Sequence, residues 1–231
     1  MTVELVGFDA DDTLWHSEDG FEDAIARYAD LVTPHCAGLD RDEVIAHLGR
    51  AERGNLRHFG YGVKSFTLSM VEAAVDVTGG TAPAALLAQL VGVGKDLLAR
   101  PVELLPGVAD VIGHLAVHYR LMLITKGDLL HQESKIRESG LSGYFAELKV
   151  VSEKDPDTYR RLLAEHGVDP STFVMVGNSV KSDILPVIAI GGRGVHIPYE
   201  FLWEAEHAEH DGSVPELASI TELPAWLAAN G

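Results

Sequence analysis

Five short apolar runs recur along the chain: "VELVGF" (3–8), "RLMLIT" (120–125), "ELKVVS" (147–152), "TFVMVG" (172–177) and "GRGVHI" (192–197). Each has the length and β-branched content of a strand. From residue 107 onward they alternate with stretches of helical periodicity at 107–118, 129–139, 156–166 and 180–190. Strand, helix, strand in this rhythm builds βαβ units on a parallel sheet. The expected class is therefore α/β, a Rossmann-like parallel sheet flanked by helices.

Between the first two runs the rhythm breaks. Residues 16–100 hold no convincing strand, but Phe21, Ile25, Tyr28 and Val32 share one helical face. Phe66, Met70, Ala73 and Val77 share another, with "TGG" as its stop, and Leu86, Leu90, Val93 and Leu97 form a third stripe. The spacing predicts an all-helical cap domain (16–100) inserted after the first strand of a core domain made of 1–15 and 101–231. "RPVELLPG", with Pro101 and Pro106, reads as the hinge of return.

The charge balance limits the partners. Against 18 Lys and Arg stand 35 Asp and Glu, a formal charge of -17, which disfavours nucleic acid or an anionic membrane. The single Cys36 cannot form an internal disulfide and reads as a small buried hydrophobe in a reducing compartment. The N-terminal residues show no basic segment leading into an apolar one, and "APAALLAQLVGVG" is shorter than the roughly 20 residues a bilayer requires. A cytoplasmic protein is expected, as a monomer or homodimer.

In an open parallel sheet, ligands bind beyond the carboxyl ends of the strands. There the first run delivers "DADDT" with Asp9, Asp11 and Asp12, and the second delivers Thr125 and Lys126. The third is followed by "SEKDPDTY" with Lys154, and the fourth by "GNSVKSD" with Asn178, Ser179 and Asp183. Carboxylates with an amide oxygen suit a hard cation such as Mg²⁺, which keeps waters and substrate phosphate oxygens. Lysines and a threonine hydroxyl suit the phosphate itself. An aspartate can attack phosphorus. A calcium loop is discounted, because Leu14 stands where that loop needs Gly and Gly20 where it needs Glu.

These residues resemble the motifs of the haloacid dehalogenase superfamily, in order and at successive strand ends. Its Asp-x-Asp-x-Thr corresponds to Asp9, Asp11 and Thr13, its strand-terminal Thr or Ser to Thr125, and its lysine to Lys154. Its final acidic motif corresponds to Gly177, Asn178 and Asp183. Three positions depart from the pattern: Asn178 replaces the usual first acid, Lys126 stands where Asn is common, and Lys154 is followed by "DPDTY". Lys149, inside its strand, reads as an edge or surface lysine.

The resemblance implies an Mg²⁺-dependent phosphohydrolase that cleaves a small phosphorylated metabolite through an aspartyl-phosphate. Asp9 is then nucleophile and metal ligand. Asp11 protonates the leaving oxygen and deprotonates the hydrolytic water, a role typically contributing 10²- to 10⁴-fold. Thr125, Lys126 and Lys154 bind the phosphate. Asp9, Asp11, Asn178 and Asp183 contact the metal. Because a halide leaves without a proton, Asp11 favours phosphate-ester hydrolysis over dehalogenation. A phosphomutase, a dehalogenase-type hydrolase, and a non-catalytic module that retains the fold remain the alternatives.

Other candidates read more plainly. Asp12 is assigned a surface or turn hydrogen-bonding role. His16, His131 and His196 are too scattered for a metal site, and "GGRG" (191–194) precedes a strand and reads as a tight turn. Arg53, Arg57, His58 and Lys64 form a solvated basic face on the cap, or else a loop that reads the substrate.

Overall fold

The computed structural model describes residues 2–201, 203, 206 and 214–231. Five strands, β1 (Leu5–Phe8), β2 (Arg120–Lys126), β3 (Glu147–Val151), β4 (Phe173–Gly177) and β5 (Arg193–His196), form one parallel sheet in the order β3-β2-β1-β4-β5. Each follows its apolar run closely. The register pairs Phe8 with Leu123 on one side and with Val176 on the other, so β1 is central and its carboxyl end is flanked by those of β2 and β4. The chain reaches β2 and β3 on one side of β1, and β4 and β5 on the other. Its carboxyl end is thus the topological switch point where doubly wound sheets bind ligands.

Strand alternation sorts the apolar side chains onto two faces. Val6, Phe8, Leu121, Leu123, Val174 and Val176 pack with α5 (Val108–His118) and α9 (Leu223–Asn230). Leu5, Met122, Ile124, Phe173 and Met175 pack with Tyr159, Leu162 and Leu163 of α7 (Pro156–Glu165). Gly7 belongs to this second face: a Cβ there would lie 2.6 Å from the Phe173 ring, so only glycine lets the central strand pack under that ring.

The helix expected over 180–190 is divided. Residues Val180–Ile184 form a π turn that runs into the short α8 (Leu185–Ile188). Pro186 lacks the N–H that would donate to the carbonyl of Ser182. That carbonyl instead accepts from the buried Tyr159 hydroxyl at 3.1 Å. The turn carries Asp183.

By contacts the chain divides into two units, 1–18 with 102–126 and 132–231, and 19–101 with 127–131. In the second unit, α1 (Glu18–Val32, from Asp19 on), α2 (Arg41–Phe59), α3 (Val63–Val77) and α4 (Ala84–Leu98) bury Tyr28, Val32, Leu48, Phe66, Met70, Leu90 and Val93 in a common core. The three apolar stripes of the sequence fall on α1, α3 and α4. Helix α2 was not anticipated, although its start carries a capping box in which Asp40 accepts from the Glu43 N–H and the Glu43 carboxylate accepts from the Asp40 N–H. Among the described residues, no helix is long and apolar enough to cross a membrane.

Candidate active site

Asp9 extends β1 by one step, its N–H donating to the carbonyl of Val176 at 2.9 Å. The chain then turns back on itself. The Leu14 N–H donates to the carbonyl of Ala10 and the Asp12 N–H to that of Trp15, both at 2.8 Å. Asp12 sits at the bend with φ 62°, in the left-handed region that aspartate enters more readily than most residues. The turn separates the first two carboxylates of "DADDT", which acquire different partners.

The Asp9 group is buried. Thr13 Oγ1 donates to Asp9 Oδ2 at 3.0 Å, and the Lys154 ammonium donates to Oδ1. The same ammonium donates to Asp183 Oδ1 at 2.7 Å, while Asp183 Oδ2 accepts from the Ser179 N–H at 3.0 Å. Thr13 Oγ1 also accepts from the Asn178 N–H at 3.1 Å and lies 3.4 Å from Asn178 Oδ1. Burial raises the Asp9 carboxyl above its ordinary range despite the pull of Lys154, and Asp183 adds to the rise. Burial works against the Lys154 charge too, but Asp183 and Asp9 together hold it firmly protonated.

Asp11 faces other groups. Its Oδ1 accepts from Trp15 Nε1 and Lys135 Nζ, both at 2.6 Å, and its Oδ2 from Lys135 Nζ at 2.8 Å and Gln132 Nε2 at 2.9 Å. Partial burial opposes ionisation, but the Lys135 charge and the hydrogen bonds from Lys135, Gln132 and Trp15 prevail and hold the carboxyl below its usual range. Gln132 Nε2 also donates to Thr125 Oγ1 at 3.0 Å, tying the end of β2 to the end of β1.

Lys126, expected to bind phosphate, is engaged elsewhere. Its ammonium donates to Ser182 Oγ at 2.9 Å and to Glu206 Oε1 at 2.7 Å, and Glu206 also accepts from Ser179 Oγ and Ser182 Oγ. Burial of Glu206 is outweighed by Lys126 and these bonds, which hold its carboxyl down at about 2.

The model of the haloacid dehalogenase-like hydrolases matches residues 3–191. The chain belongs to this family. A haloacid dehalogenase-like family hydrolase from Xanthomonas campestris is 42% identical, with a TM-score of 0.87 over 99% of this chain and 91% of that one. A 2-haloacid dehalogenase from Pseudomonas syringae shares the fold at 23% identity, with a TM-score of 0.67 over the full length of both chains. The glyceraldehyde 3-phosphate phosphatase of Pyrococcus furiosus is 29% identical over 116 residues, 47% of this chain and 46% of that relative. The aligned region therefore spans less than half of the phosphatase.

Within this haloacid dehalogenase-like core, Asp9, Lys154 and Asp183 form one bonded group, to which Thr13 links Asn178. Asp11 and Thr125 form another through Gln132. Asp11 was expected among the metal contacts, but both its carboxylate oxygens are taken by side-chain donors. Asp12 is not on the surface: it is buried and accepts from the N–H groups of Ser17 and Glu18 at 2.9 and 3.0 Å, at the start of α1. His196 Nε2 lies 3.1 Å from the carbonyl oxygen of Asn178 and supports that loop. In the helical unit, Lys64 pairs with Asp128 at 2.9 Å, and Arg57 Nε donates to the adjacent His58. Lys149 lies on the edge strand β3 near Glu147 and Glu165.

The residues that sequence reasoning missed are Gln132, Lys135, Trp15 and Glu206. Gln132 and Lys135 stand three apart on α6 (Leu129–Glu138), hence on one helical face, and that spacing was the available signal. Glu206 had none, because a lone glutamate in an acidic stretch carries no mark of its partner.

Among the described residues, no three His, Cys, Asp or Glu side chains converge as a ready metal site. The donor set nonetheless suits a hard divalent cation. The carboxylates of Asp9 and Asp183 both reach the Lys154 ammonium, and the Asn178 amide oxygen adjoins through Thr13. Two buried carboxylates against one ammonium leave negative charge that a cation would balance.

Proposed function

We propose that this haloacid dehalogenase-like hydrolase is a cytoplasmic, Mg²⁺-dependent phosphohydrolase of small phosphate monoesters, working as a monomer or homodimer through a phosphorylated Asp9. The observation that carries the reading is the division of labour inside "DADDT". One aspartate is buried against Lys154 and Asp183, and the other is held by a separate set of donors.

Asp9 attacks phosphorus while Thr13 and Lys154 fix its two oxygens; the bond from Asp9 to phosphorus forms as the bond from phosphorus to the ester oxygen breaks, and the leaving alkoxide takes its proton from water. The Lys154 ammonium, protonated throughout, offsets charge on the transferring group. Bound Mg²⁺, held by Asp9, Asn178 and Asp183, would supply further neutralisation of the phosphoryl oxygens. Asp11 then takes the proton of the water that cleaves the aspartyl-phosphate, a role for which its carboxylate form is the competent one. The partial match to a curated phosphatase supports phosphate as the transferred group.

A second reading rests on Asp11 itself. Held ionised by Lys135, it offers no proton to a leaving group, which is the condition a departing halide accepts. Phosphate release from an aryl phosphate and halide release from a 2-haloacid, each measured with and without Mg²⁺, separate the two. Mg²⁺-dependent phosphate release that disappears in Asp9→Asn is the expected result. Halide release with no phosphate release would replace the proposal with the dehalogenase reading. Loss of neither activity in Asp9→Asn would remove Asp9 as nucleophile.

A further inference from the structure

We infer that Lys135 and Gln132 are positioning residues that hold Asp11 in place for hydrolysis of the phosphorylated Asp9. This inference rests on the phosphohydrolase reading and assigns that site two residues outside the family motifs it matches. Both lie on one face of α6. Lys135 meets both oxygens of Asp11, at 2.6 and 2.8 Å, and Gln132 meets Oδ2 at 2.9 Å. With Trp15 at 2.6 Å on Oδ1, the carboxylate is clamped from two sides of the turn.

Gln132 does more than hold Asp11. It is buried, and its amide nitrogen also reaches Thr125 Oγ1 and the carbonyl of Lys126. Among the described residues the buried Gln132 Oε1 has no hydrogen-bond partner, a cost that the bonds made by its nitrogen must offset. The amide thus sets the distance between the two strand ends that carry Asp11 and Thr125. The Lys135 side chain is mostly buried, 12% exposed, and among the described residues its ammonium meets only the Asp11 carboxylate.

The chemistry needs this clamp in one half of the reaction above all. Water oxygen attacks phosphorus, the bond from phosphorus to Asp9 Oδ breaks, inorganic phosphate leaves, and the water proton passes to Asp11. A carboxylate displaced by an ångström loses about 10²-fold in such a step. With an aryl phosphate the first half-reaction expels a stable phenolate and depends little on Asp11. Loosening Asp11 therefore stalls the enzyme after phosphorylation.

The test uses the full chain with Mg²⁺ and an aryl phosphate, comparing wild type with Lys135→Met, Lys135→Arg and Gln132→Leu. Lys135→Met is expected to lower kcat on the order of 100-fold and KM in proportion, leaving kcat/KM, which reports the phosphorylation step, within about twofold, and Lys135→Arg to restore most of the loss in kcat. Acid-quenched Lys135→Met and Gln132→Leu should carry more phosphorylated enzyme at steady state than wild type, read by intact-protein mass. A merely structural role would lower the Tm and reduce phosphorylation and turnover together. That pattern, or a kcat unchanged within about twofold in both neutral variants, overturns the inference while leaving the phosphohydrolase reading intact. A wild type that releases no phosphate overturns the phosphohydrolase reading, and the inference with it.

Discussion

Replacing Gly177 with alanine tests the tightest packing in the site. Gly177 ends β4, and a Cβ built there would lie 2.2 Å from Asp183 Oδ2, 2.4 Å from its Cγ and 2.7 Å from its Cβ. Cβ atoms essentially never approach other atoms within 3.0 Å, so the Asp183 carboxylate must retreat by about 0.8 Å or more. Neither oxygen is free to move: one accepts from Lys154 at 2.7 Å and the other from the Ser179 N–H at 3.0 Å. A retreat of that size along the Lys154 bond stretches it to about 3.5 Å, beyond the ordinary 2.7–3.2 Å range. Lys154 then leans wholly on Asp9, the atom set that must stay aimed at phosphorus.

Overpacking of this kind costs about 1–3 kcal/mol, which for a chain of this size lowers Tm by a few degrees, roughly 2–4 °C per kcal/mol. The larger effect falls on turnover, with kcat expected to drop about 10²-fold through misplacement of Lys154 and Asp9. The assay is Mg²⁺-dependent phosphate release together with a thermal melt. Gly113→Ala serves as control, because its Cβ would meet nothing nearer than the Tyr144 ring at 3.8 Å. If Gly177→Ala kept wild-type kcat and Tm, the claim that Asp183 is wedged against β4 and aims Lys154 would be wrong.

Two further predictions concern stability. Burial, with Asp11 close by, pushes Asp12 from 3.8 up to about 7 in the folded chain, so the native state keeps a proton that the unfolded chain gives up. Stability from this group is therefore highest below about pH 4, falls as pH rises towards 7, and is level above, by at most about 4 kcal/mol. Asp12→Asn keeps an oxygen for the Ser17 and Glu18 N–H groups and tolerates φ 62°, so denaturant curves between pH 4 and 8 should show a flatter profile and a more stable protein at pH 8. Parallel pH profiles for variant and wild type would count against the buried charge. Asp40→Ala removes the capping box of α2 and is expected to cost about 1 kcal/mol. An unchanged unfolding midpoint would show that the cap contributes nothing to the helical unit.

Much of the core was legible because parallel sheets impose a rule of position. A strand of apolar residues followed by a helix puts the next polar residue at the carboxyl edge, so Asp9, Thr125, Lys154 and Asp183 could be placed from the order of the runs. Asp12 and Lys126 show where position stops being enough. Asp12 was read as a surface or turn hydrogen-bonding residue; it is the turn residue, and the left-handed bend also buries it, with its carboxylate on the N–H groups that start α1. Lys126 was read towards phosphate, but Glu206, 80 residues further on, claims its ammonium at 2.7 Å.

By itself the sequence determined the α/β class, the all-helical stretch after β1, and the set of oxygens and amines at the strand ends. Those follow from local periodicity and from side-chain chemistry that no partner alters. Only the tertiary structure decided which amine meets which carboxylate: Lys154 between Asp9 and Asp183, Lys135 on Asp11, Lys126 on Glu206. Pairing depends on side-chain reach across segments far apart in the chain, with burial selecting among many nearly equivalent ion pairs, and no spacing in a single sequence records that choice.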